Sequence, residues 1–82
     1  MIVQTVDKME PGTIGIIKEV QGDPIIRRRL MEMGVLPGSS LTLVKWAPLG
    51  DPAECRIRGY NLSLRRAEAS LITIELTSGE QQ

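Results

Sequence analysis

Cys55 is the single cysteine of the chain, and no histidine occurs anywhere in it. A nucleophilic thiol needs a base to make it a thiolate, and a transition-metal site draws on clustered thiols, imidazoles or carboxylates. Neither set of parts is present, and the lack of histidine also excludes a hydrolytic triad. Asp51 and Glu54 could form a weak carboxylate site at most. Cys55 falls on the inward face of an expected strand, where it reads as a small apolar core residue. No G-x-x-x-x-G-K-[ST] loop is found, so the chain is not itself a P-loop nucleotide hydrolase. The expectation is a protein with no catalytic residues, no cofactor-binding residues and no metal ligands, and therefore not an enzyme.

Charge gives no better handle on a nucleic acid or a bilayer. Ten Lys and Arg balance ten Asp and Glu, so no net field attracts either. Arg27, Arg28 and Arg29 are consecutive, and on a helix successive side chains point about 100° apart, so they do not make one patch. Arg56 and Arg58 share an outward strand face with Glu54, a mixed-charge stripe unlike a phosphate track. With one Trp, one Tyr and no Phe, stacking platforms for RNA are also missing. Asn61-Leu62-Ser63 matches a glycosylation sequon, but without a secretory signal it is a chance match.

What is left is contact. Trp46 and Leu49 stand at or beyond a strand end, beside Pro48, and either plug the open end of the fold or meet a partner. They could equally serve a weak self-contact. Leu30 and Met33 lie on a helix that packs on the sheet and borders a groove.

The elements that must position these residues follow from local chemistry. Pro11-Gly12 is a turn signal, and Gly15 to Val20 has the β-branched content of a first strand. Asp23 can cap a helix beginning at Pro24, and Gly34 can end it in the left-handed conformation. Ile26, Leu30 and Met33 then recur at i, i+4 and i+7 on one face. Leu36-Pro37-Gly38-Ser39 places Pro and Gly at the centre of a type II turn. From Ser40 the period becomes two: Leu41 and Leu43, Cys55 and Ile57, Leu62 and Leu64, then Ile72, Ile74 and Leu76. The joins are Ala47 to Pro52, a tight Arg58-Gly59-Tyr60-Asn61 connection, and a short turn through Arg66 to Ser70. About five strands with one helix inserted after the first, joined this closely, suit a small antiparallel barrel whose closure protects its edges.

The 82 residues make room for one domain, with a core at about 11–76, a frayed start and a polar tail at 77–82. No apolar run reaches the about 18 residues a membrane span needs, so direct membrane insertion is not expected. One cysteine and no signal sequence lead to an expectation of a cytoplasmic location.

Three blocks carry a family resemblance: Arg29-Leu30-Met31-Glu32-Met33-Gly34-Val35-Leu36-Pro37-Gly38, then Ala47-Pro48-Leu49-Gly50-Asp51-Pro52, then Leu62-Ser63-Leu64-Arg65-Arg66-Ala67-Glu68-Ala69. In this order the chain resembles the FeoA family, small accessory proteins of bacterial ferrous iron uptake. The resemblance implies an SH3-like barrel and a cytoplasmic role beside FeoB, the membrane protein that carries a GTP-binding domain and the iron pathway. It implies Leu30 as the first residue to expect at a partner contact, and the places of Met33 on the helix and of Trp46 and Leu49 at the strand end add these three to the expected contact. The same fold resembles the C-terminal domain of iron-dependent repressors. The alternative is thus a freestanding relative of that domain, acting as a metal-responsive or regulator-binding module.

Overall fold

Asp23 opens the main helix as its chemistry dictates: its carboxylate accepts from the Ile26 N–H at 2.9 Å, and Pro24 occupies the first helical position. This helix, α1, runs Pro24–Glu32 in the computed structural model, which describes residues 2–77. Gly34 follows it with φ +102, the left-handed geometry expected of a helix terminator. Pro37-Gly38 then reverses the chain, with the Ser39 N–H donating to the Leu36 carbonyl at 3.0 Å.

Six strands make a single antiparallel sheet: β1 (Val3–Thr5), β2 (Ile14–Val20), β3 (Ser40–Trp46), β4 (Ala53–Ile57), β5 (Tyr60–Leu64) and β6 (Ile72–Leu76). Their spatial order is β1-β6-β2-β3-β4-β5. This is the mostly β, SH3-like architecture with one inserted helix, and it departs from the expected layout in three ways. Residues 3–5, expected to be frayed, are paired: Val3 lies opposite Glu75 and Thr5 opposite Thr73, adding a sixth strand. The turn through Arg66 to Ser70 is a one-turn helix, α2 (Arg66–Ala69), entered where the Arg65 N–H donates to the Glu68 carboxylate at 2.9 Å. The sheet is curved but not closed by a ladder, since β1 and β5 are its two ends and do not pair with each other among the described residues.

Curvature comes from two register shifts, between Ile17 and Glu19 where β2 meets β6 and between Leu43 and Lys45 where β3 meets β4. Each inserts a residue without a partner and increases local twist. The second bends the end of β3 so that Trp46 comes opposite Ala53.

The concave face holds the core. Leu41, Leu43, Cys55, Ile57, Leu64, Ile72 and Ile74 are fully buried with Leu30 of α1, while Leu62 and Leu76 lie half-buried at the margin. At the tail, Thr77 is tied to the Ile14 carbonyl through its N–H at 3.1 Å, and 78–82 lie outside the described residues. No helix is long and apolar enough to cross a membrane among the described residues.

Candidate functional site

The join between β3 and β4 is short and internally bonded. The Gly50 N–H donates to the Ala47 carbonyl at 2.7 Å and the Ala47 N–H to the Pro52 carbonyl at 2.9 Å, so the loop closes on itself. Pro48 restricts φ on one side, Gly50 takes φ +89 on the other, and the residue between them is Leu49. Its side chain is 97% exposed, the most exposed large apolar residue among those described.

Arg66, at the start of α2, fixes this loop from below. Its Nε and Nη2 donate to the Gly50 carbonyl at 3.2 and 3.0 Å, and its backbone N–H donates to Asp51 Oδ1 at 3.0 Å. Its Nη1 reaches the Asp7 carbonyl at 3.4 Å, and its guanidinium lies over the Trp46 ring, 4.1 Å from the centroid. One side chain thereby ties together the β3–β4 loop, α2 and the turn after β1. Trp46 is half-buried against the core and donates its indole N–H to the Met9 carbonyl at 3.4 Å.

The residues expected at a contact separate in the structure. Leu49 is presented outward, Trp46 lies beneath its loop, and Met33 is half-buried at the end of α1. Leu30 is the correction: it is fully buried in the core and offers no surface. Its i, i+4 relation to Ile26 sets the inward stripe of α1, and that stripe packs on the sheet. A groove of about 470 Å³ is lined by Met33, Asp51, Pro52, Ser63, Arg65 and Glu68, so it runs from the end of α1 to the base of the Leu49 loop.

The charged residues are also placed. Arg29 pairs with Glu68 at 3.3 Å, while Arg27 and Arg28 point elsewhere. Arg56 donates to the Asn61 side chain at 3.1 Å, whereas Arg58 is not on the strand face expected for it. It sits in the hairpin turn with φ 53, followed by Gly59 at φ +91. Cys55 is fully buried, and burial, with Glu54 beside it, pushes its thiol up to about 11. A thiol so held stays protonated and unreactive at neutral pH. Sequence reasoning did not find Arg66. Its partners lie 16 and 59 residues away, and the only local sign was its place in the third family block.

The family model described as "FeoA domain" matches residues 4–76. The chain is 42% identical over 71 residues to the "Fe(2+) transport protein A/Fe(2+) transporter FeoB fusion protein" of Porphyromonas gingivalis. That match covers 87% of this chain and 8% of the fusion protein, so the chain spans a small part of that relative. The iron(II) transport protein A of Clostridium thermocellum superposes with a TM-score of 0.87 at 36% identity, covering 93% of this chain and 47% of that one. Stenotrophomonas maltophilia FeoA complexed with zinc, described as a prokaryotic SH3 domain protein, superposes at 0.77 with 25% identity, covering 88% and 89%.

Proposed function

Since the chain belongs to the FeoA family, we propose that it is an accessory protein of ferrous iron uptake that docks on the cytosolic part of a FeoB-type transporter and modulates it. The observation that carries this reading is Leu49, 97% exposed on a loop whose carbonyl and carboxylate are both held by Arg66. An apolar side chain held outward on a braced loop has little conformational freedom to lose on binding, and it suits an anchor that fills a pocket of a partner. The Porphyromonas relative supports the choice of partner, because its name joins the iron transport protein A and FeoB portions in one polypeptide.

Modulation requires that the docked protein prefer one state of its partner. A coupling of about 1–3 kcal/mol between docking and the GTPase or gating equilibrium is enough to change transport several-fold. Met33 and Trp46 take part at the margins of the same surface, Met33 along the groove and Trp46 by supporting the loop.

The test is a binding titration of the full chain against intact FeoB, with and without guanine nucleotide. Saturable binding that differs between nucleotide states supports the proposal, and no detectable binding in either state overturns it. The zinc carried by the Stenotrophomonas protein favours a second reading, a metal-responsive module. Titrating zinc or ferrous ions while following Asp51 and Glu54 by NMR tests it: stoichiometric binding by the isolated chain would favour that reading over docking alone.

A further inference from the structure

α1 carries its N-terminal acid at the cap, Asp23, and three consecutive arginines, Arg27 to Arg29, through its middle and last turn. The outward side is apolar where a solvated helix is polar. Ile25 is 79% exposed and Met31 37%, and they bracket Arg28 at i−3 and i+3 on one face. Pro24 and Arg28 line two adjoining shallow pits of about 460 and 300 Å³, shared with Arg27, Met31 and Glu32 on one side and Ile25 on the other.

Arg28 has no carboxylate within ion-pairing distance among the described residues, although Glu32 lies one turn on. Arg29, its neighbour, is paired with Glu68 and faces away. Exposed apolar side chains grouped around a charge with no ion-pair partner mark a surface suited to contact.

We propose that the outer face of α1, centred on Arg28 with Ile25 and Met31 on either side, is a second contact for the same transporter, one that receives an acidic segment flanked by apolar side chains. This rests on the docking reading above and specifies the chemistry of its partner surface. A carboxylate set between the two apolar contacts pairs with Arg28 where water is partly excluded, which strengthens the pair relative to one in open solvent. The pits on either side of Arg28 receive the flanking apolar groups. A protein segment suits this face better than an anionic bilayer. Glu32 lies on the same face and repels lipid phosphate, whereas a partner protein can bring its carboxylate to Arg28 and keep clear of Glu32.

Arg28→Glu reverses the charge of an exposed side chain that makes no ion pair among the described residues, and it sets a second carboxylate one turn from Glu32, so its fold is followed by a thermal melt. The variant is expected to keep a cooperative melt with at most a small loss of melting temperature, while its affinity for intact FeoB falls at least tenfold. Ile25→Ser is expected to weaken binding at least threefold with its fold intact. Affinity of the wild type should decline with salt between about 50 and 300 mM, and that of Arg28→Glu should decline less. If the wild type binds FeoB and both variants bind within twofold of it, the α1 contact is overturned and the docking reading stands. If the wild type does not bind FeoB, both fall. Binding to phosphatidylglycerol vesicles that is lost in Arg28→Glu, with FeoB affinity unaffected, assigns the face to lipid and overturns the protein contact.

Discussion

The guanidinium of Arg66 lies 4.1 Å from the centroid of the Trp46 ring, and the same guanidinium donates twice to the Gly50 carbonyl. The half-buried Trp46 ring and the loop that exposes Leu49 are therefore held by one side chain. Stability and presentation of the Leu49 loop are coupled through it.

Arg66→Ala is expected to lower unfolding stability by about 1–2 kcal/mol, the size of a lost cation–π contact together with charge-assisted hydrogen bonds at an exposed site. Arg66→Lys restores only part of this, because an ammonium has no planar fork to span Gly50 and Asp7. Urea unfolding of the three proteins checks the order, wild type above Lys above Ala.

Tyr60 reaches from β5 to the end of α1, its hydroxyl donating to the Met33 carbonyl. The approach is open because residue 34 is glycine: a Cβ there would collide with the Tyr60 hydroxyl oxygen, on a backbone with φ +102. Tyr60→Phe is expected to cost about 0.5–1.5 kcal/mol. Gly34→Ala is expected to cost more, since it adds left-handed strain and displaces the ring. Thermal melts of both variants test this ranking.

The buried thiol of Cys55 has a consequence at high pH. Its ionisation lies at about 11 in the folded protein against an ordinary 9.0, so the unfolded chain loses this proton first as pH rises. Its contribution to stability is complete below pH 9 and declines as pH rises toward about 11. Cys55→Ala should flatten this slope in denaturant titrations across that window, whatever its cost in packing. A thiol reagent at neutral pH should label the native protein only through unfolding.

Arg58 carries φ 53 in a two-residue hairpin turn where Asn is the favoured residue before Gly59. Arg58→Asn is expected to raise stability by about 0.5–1 kcal/mol, read as a higher urea midpoint with an unchanged slope.

Local chemistry made much of this fold legible. Asp23, Pro24 and Gly34 bound α1 because caps act within a few residues, and Pro37-Gly38 sets its turn for the same reason. The alternation from Leu41 to Ile74 marks the buried faces of the strands. The unread features depend on distant partners. Val3 to Thr5 become a strand only because β6 lies beside them, and the shift between Leu43 and Lys45 breaks the alternation that would otherwise carry through to Trp46. In the β3–β4 join, the exposure of Leu49 was readable from its place between Pro48 and Gly50 at a turn. Leu30 was misplaced because periodicity identifies a helix face without saying whether that face meets the sheet or a partner. Arg66 was missed because its bonds join segments far apart in sequence.

The proposed anchoring of this protein on FeoB by Leu49 is tested by the affinity of Leu49→Ala for the intact transporter, measured beside the wild type. Leu49 touches solvent on nearly all sides, so the substitution should leave the melting temperature unchanged. Burying a leucine in a partner's pocket contributes about 1.5–3 kcal/mol, so Leu49→Ala is expected to lose affinity about 10- to 100-fold. Equal affinities for the two proteins would contradict it.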